Sequence, residues 1–186
     1  MSADQTRVAL SPDVTRDDVE TAAWVMDFFI DHRTDGDKDT PREDVWRTID
    51  EKTWLHEVED PVTGLRFLVV RGEDRDKHVR RIRKELDTVT HTEALKALKA
   101  ASSRDDKLEA LYQTGIAAPE EPNQRVVSAL TKALEGEDDY HLRQAALIAI
   151  AYTSWPDFKA AVKTAAEDDE SEAVRSTAHG MLKAFK

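Results

Sequence analysis

The chain has 186 residues, with 27 Lys and Arg against 38 Asp and Glu, and a formal net charge of −11 with histidine neutral. That length is enough for one domain or two small ones with a real core, and it excludes a large multidomain machine. The absence of cysteine excludes disulfides, thiolate metal sites and a cysteine nucleophile, and the acidic balance opposes phosphate backbones and anionic lipid except at a local basic patch. The opening MSADQTRVALSPDV lacks a basic start followed by an apolar run, and no stretch approaches the roughly 18 apolar residues of a membrane span. The expected location is therefore the cytoplasm, with no membrane partner. Of 24 Ala, only Ala3, Ala9, Ala22 and Ala23 precede residue 88, whereas Trp24, Trp46 and Trp54, three of the four Trp, lie in that first part. This shift divides the chain into modules 1–88 and 89–186, one built on aromatics and one on small-residue helix contacts.

In the first module, Thr15 followed by Asp18 has the form of an N-cap. Val19, Ala22, Ala23, Met26, Phe29 and Ile30 then recur at helical spacing, which predicts a helix over about 16–33. Trp24, Val25 and Phe28 give it a second apolar side, as for a helix central to its module. Thr40, Pro41 and Glu43 read as N-cap, N1 and N3 of a second helix over about 41–51, with Val45, Trp46 and Ile49 inward. The period then changes to alternation. Strands near 53–59 and 65–71, turned by Asp60-Pro61-Val62-Thr63-Gly64, form a predicted β-hairpin. Either Leu65, Phe67 and Val69 or the opposite set Leu68 and Val70 should cover Trp24, Phe28 and Trp46. Val79, Ile82 and Leu86 on a charged background predict a third helix over about 74–87.

The second module repeats at about 32 residues. Asp139-x-x-Leu142-Arg143-x-x-Ala146 aligns with Ser171-x-x-Val174-Arg175-x-x-Ala178, and Leu98, Leu130 and Val162 correspond in the preceding helices. Three helix pairs are predicted: 91–101 with 104–114, 123–135 with 138–153, and 157–167 with 170–184, with Leu142, Ala146, Ile150, Val174, Ala178 and Leu182 as the buried seam. The acidic-x-x-Val/Leu-Arg-x-x-Ala pattern resembles the second helix of HEAT repeats over about half the chain. The first copy departs from it, with Glu109 and Tyr112 at the Arg and Ala places. The resemblance implies a protein-binding scaffold more often than a catalyst. The expected fold is therefore mainly α: a short α-solenoid of about three HEAT-like helix pairs after a small α-α-β-β-α module.

Candidate sites follow from charge and exposure. Arg71, Arg75, Lys77, Arg80, Arg81, Arg83 and Lys84 crowd residues 71–84 against Glu73, Asp74 and Asp76, and Arg75, Lys77, Arg80, Arg81 and Lys84 are the candidate anion or nucleic-acid contacts. Asp31, Asp35, Gly36, Asp37 and Asp39 have the look of a calcium loop, but Arg33 and Arg42 stand where ligands belong, and a polar turn is the expected reading. No two histidines share a helix at metal-ligand spacing, and no catalytic or phosphate-binding motif occurs, so no cofactor, metal or active site is expected. Arg143 and Arg175 read as structural. Tyr140, Gln144, Ile148, Tyr152 and Trp155 are the candidate partner contacts, Trp155 being either an exposed anchor or a packing plug between repeats. The leading expectation is a non-catalytic adaptor that binds a protein through its repeats; the alternative is a nucleic-acid-binding regulator using the basic helix 75–84.

Overall fold

The computed structural model describes residues 5–183 and 185. Two compact units divide the chain, residues 1–89 and 90–186. The first is built on a sheet. Its strands are β1 (Gln5–Leu10), β2 (Phe28–Thr34), β3 (Arg42–Thr48), β4 (Thr53–Glu59), β5 (Arg66–Gly72) and the short β6 (Thr88–Val89), with helices α1 (Arg16–Val25) and α2 (Arg75–Glu85). All six strands join one antiparallel sheet in the order β2-β3-β4-β5-β1-β6. This overturns the mainly-α expectation.

The segments read as helix at 28–33 and 41–51 contribute strands β2 and β3 to this sheet. Helix α1 begins as expected, with a capping box between Thr15 and Asp18, but it ends at Val25. Asp27 takes a left-handed backbone at φ 65°, which turns the chain out of the helix. Phe28-Phe29-Ile30 beyond it is an aromatic and β-branched run that fits a pleated surface. Pro41 lies in the β2–β3 connection, where the Asp37 carboxylate accepts the backbone N–H groups of Asp39 and Thr40 at 2.8 Å each. The apparent N-cap there is thus a hairpin turn. Strand β1, too short and mixed to show alternation, pairs with β5 from Gln5↔Arg71 to Ala9↔Phe67.

The β4–β5 hairpin forms where alternation placed it, its turn closed by Asp60 N–H to the Leu65 carbonyl at 3.0 Å and by Gly64 at φ +68°. On the face covered by the helices, Val8, Phe28, Trp46, Leu55, Leu68 and Val70 pack with Val19, Ala23, Met26, Val79 and Ile82. Leu68 and Val70 are therefore the set that joins Phe28 and Trp46. Trp24 does not join them; it is 69 % exposed.

The second unit is helical among its described residues. Helices α3 (His91–Ala100) and α4 (Arg104–Ile116), α5 (Gln124–Gly136) and α6 (Tyr140–Thr153), and α7 (Lys159–Asp168) and α8 (Glu172–Leu182) form three hairpins, with a single 3-10 turn at Pro156–Phe158. The position 184 at the expected end of the last helix lies outside the described residues. Across hairpins, α6 packs between α4 and α8, and α5 contacts α3 and α7, so first and second helices form separate layers. Alanine makes this possible. Ala145, Ala146 and Ala149 are wholly buried on α6, and a Cβ at Gly115 of α4 would lie 2.4 Å from the Ala149 carbonyl oxygen. The expected seam residues Leu142, Ala146, Ile150, Val174 and Ala178 are buried, and Leu182 is partly buried against the same core.

Candidate interaction surfaces

Arg143, 6 % exposed, clasps two successive hairpins. Its Nε and Nη2 donate to the two Asp169 oxygens at 2.8 and 3.0 Å, a bidentate pair. Its Nη1 donates to the carbonyls of Glu137 and Asp138 at 2.9 Å each. Arg175 Nη1 repeats this with the carbonyls of Asp169 and Glu170 at 2.6 and 3.0 Å. In both copies the acceptors lie six and five residues before the arginine, so the sequence repeat is also a repeat of hydrogen bonds. The first copy has Glu109 in the arginine place, and Lys107 Nζ reaches the Glu137 carboxylate at 3.0 Å instead. Burial raises the Asp169 pKa, but the Arg143 pair and the Ser171 N–H outweigh it and hold the carboxyl below its ordinary value.

With its flanks occupied, α6 meets solvent along one stripe. Tyr140, His141, Gln144, Ile148, Ala151 and Tyr152 are its only residues that are not buried. Tyr140 is 40 % exposed, its ring 3.9 Å from that of His141, and Gln144 Nε2 donates to Thr177 Oγ1 at 3.3 Å. No carboxylate or Lys or Arg interrupts the stripe. Trp155 is not part of it, which corrects its place among the partner contacts: it is 3 % exposed, stacks on Phe158 at 6.0 Å, and donates through Nε1 to the Glu120 carbonyl at 3.1 Å. It is a plug between hairpins. Near the clasp, a groove of about 510 Å³ carries Glu135, Glu137, Asp138, Asp168, Asp169 and Glu170.

The basic residues of α2 do not act together. Arg81 donates to the carbonyls of Met26 and Val25 at 3.2 and 3.1 Å and so caps the C-terminus of α1, which removes it from the anion contacts. Arg75 is half-buried. Lys77, Arg80 and Lys84 are exposed at three- and four-residue spacing on one face. Lys84, with Arg83, also borders a cleft of about 400 Å³ that holds Asp13, Asp18 and Asp87.

A second charged cluster lies on the helix-covered face of the sheet, one row beyond Trp46 and Leu55, and sequence reading missed it. Asp44 and Glu57 are directly opposed across β3 and β4 and are 6 % and 3 % exposed. Arg66 Nη1 donates to Glu57 Oε1 at 2.8 Å, Arg42 Nη2 to Asp44 Oδ2 at 3.2 Å, and Arg33 Nε lies 3.6 Å from Asp44 Oδ2. Arg16 pairs with Glu59 at its margin. Among the described residues, Asp44 Oδ1 and Glu57 Oε2 accept no hydrogen bond. Burial pushes the Glu57 carboxyl up; Arg66 opposes this and Asp44 adds to it. No helix among the described residues is long and apolar enough to cross a membrane. Compared with family models, curated proteins and solved structures, the chain matches none.

Proposed function

We propose that this chain is a non-catalytic interaction module that binds a protein partner through a short HEAT-like stack. The observation that carries the reading is the α6 stripe. The central helix of the stack reaches solvent only through Tyr140, His141, Gln144, Ile148, Ala151 and Tyr152, which include two tyrosines and no Lys, Arg, Asp or Glu. Interface cores are depleted in charge and enriched in tyrosine in this way, whereas a merely solvated helix face carries charge. The acidic groove beside the Arg143 clasp favours a partner with basic or mixed charge. Expression of the tagged full chain in its native cell, followed by affinity capture, tests the reading. A protein retained by the wild type and lost with Tyr140→Ala/Ile148→Ala, a variant of unchanged circular dichroism, supports it. A retained set that is indifferent to this variant refutes it.

One observation favours a second reading, a nucleic-acid-binding regulator: the exposed row Lys77, Arg80 and Lys84. Asp74 and Asp76 stand beside this row, and the chain carries −11 overall, which weakens the attraction to phosphate. Binding of mixed duplex or single-stranded DNA at physiological salt, abolished by Lys77→Glu/Arg80→Glu, would establish this second function.

A further inference from the structure

Strand β2 forms one edge of the sheet and, among the described residues, pairs with β3 alone. Its outer N–H and C=O groups therefore face outward along a seven-residue strand. Around its first half stand four exposed apolar side chains: Trp24 at 69 %, Val25 and Phe29 at 55 % each, and Ile30 at 44 %. A bulge follows Ile30, and beyond it the strand turns polar with His32 and Arg33. An apolar edge of this kind is a template for another strand.

We infer that this edge pairs with β2 of a second copy of the chain, antiparallel, about a two-fold axis near Ile30. This surface is separate from the α6 stripe and does not rest on the function proposed above. Helix α1 runs alongside β2, because Arg33 Nη2 donates to Glu20 Oε1 at 3.0 Å. One helical turn beyond Glu20 advances about 6 Å, the length of about two strand residues, which brings Trp24 level with Asp31, next to Ile30. An axis near Ile30 then sets Trp24 and Ile30 of each copy against their counterparts. The same operation brings Asp27, whose side chain is 86 % exposed, level with the second copy's His32 and Arg33. The apolar centre is thus self-complementary, as an isologous contact requires. The four side chains expose about 400 Å² of apolar surface per copy, taking about 200 Å² for an aromatic side chain. With the strand edges and charged flanks added, the contact approaches the ~1,200 Å² lower bound of stable interfaces, as for a reversible dimer.

Sedimentation velocity of the full chain, from low to high micromolar concentration and at physiological and high salt, tests the inference. The expected result is a monomer–dimer equilibrium that strengthens with salt as the repulsion between two −11 chains is screened. Ile30→Lys and, separately, Trp24→Glu should each leave the circular dichroism unchanged and shift the chain to monomer. Because the chain has no cysteine, Ile30→Cys adds one thiol near the axis, and oxidation should yield a disulfide-linked dimer. A wild type that stays monomeric throughout overturns the inference. So does a dimer unaffected by both variants and not trapped by Ile30→Cys, since it would use another face.

Discussion

Replacing Arg143 with alanine isolates what holds successive hairpins together. The side chain makes two hydrogen bonds to Asp169, one each to the Glu137 and Asp138 carbonyls, and one to Glu170 Oε1 at 3.2 Å. The first four occur where arginine and Asp169 side chains are each 7 % exposed, while the Glu170 carboxylate is 83 % exposed and adds little. Truncation leaves the Asp169 carboxylate buried with the Ser171 N–H, at 2.8 Å, as its remaining hydrogen bond. Breaking a buried pair in this way costs about 3–5 kcal/mol. Arg175→Ala removes hydrogen bonds to two carbonyls and, among the described residues, no hydrogen-bonded carboxylate pair, a loss of about 1–2 kcal/mol. Urea unfolding of the full chain followed by circular dichroism at 222 nm measures both. Arg143→Ala should fall well below Arg175→Ala, and adding Asp169→Asn should recover part of the loss by removing the unpaired charge. Equal effects of the two arginine variants, or no recovery, would refute the clasp. The pH dependence carries the same sign. Asp169 titrates below its ordinary value in the folded state, so its contribution is present above that ordinary value and is lost as pH falls through the folded one.

Further outcomes are expected elsewhere. Gly115→Ala must displace Ala149 backbone at the α4–α6 crossing and should cost about 1–3 kcal/mol in thermal unfolding, whereas Gly136→Ala, which meets no atom within 4 Å, should not. Ala146→Leu and Ala178→Leu, both at fully buried seam positions, should each cost a similar amount, about 1–3 kcal/mol; neutral melting for both would contradict the stacking. Glu57 holds its proton more tightly folded than unfolded, so its share of stability is present below the ordinary glutamate range and falls as pH rises through the folded value. The groups facing it are Arg66, Asp44, Arg16 and Arg42. Glu57→Gln should therefore flatten this fall, while Asp44→Asn, which weakens the Arg33 and Arg42 contacts, should cost about 1–3 kcal/mol. Arg81→Ala should destabilise by about 1 kcal/mol, because it uncaps α1, and Arg80→Ala should not.

The helical half was legible because its periodicity is long and its copies reinforce one another: Arg143 and Arg175 align in sequence and then bind carbonyls at the same offsets. The β4–β5 hairpin was legible from alternation alone. Strands β2 and β3 were not, since Phe29 and Ile30 continued the helical spacing of Val19, Ala22, Ala23 and Met26, while in the fold they lie on an exposed edge strand. Residues buried on both faces of β3, Asp44, Val45 and Trp46 in succession, also erase the two-residue period that would have betrayed a strand. The Asp44–Glu57 pair depends on cross-strand register, which a single sequence does not display. Among the candidate contacts, Tyr140, Gln144, Ile148 and Tyr152 fell on one stripe because four-residue spacing on a helix dictates it. Trp155 and Arg81 went to packing and capping, roles set by tertiary neighbours.

The most direct measurement of the central claim, that α6 presents the binding face, is photo-crosslinking in the native cell from a photoreactive amino acid placed at position 148 of the full chain, with position 132 on exposed Lys132 of α5 as control. One recurrent protein adduct is expected from position 148, absent from position 132 and suppressed by Tyr140→Ala. Adducts to nucleic acid, or the same proteins from both positions, would contradict it.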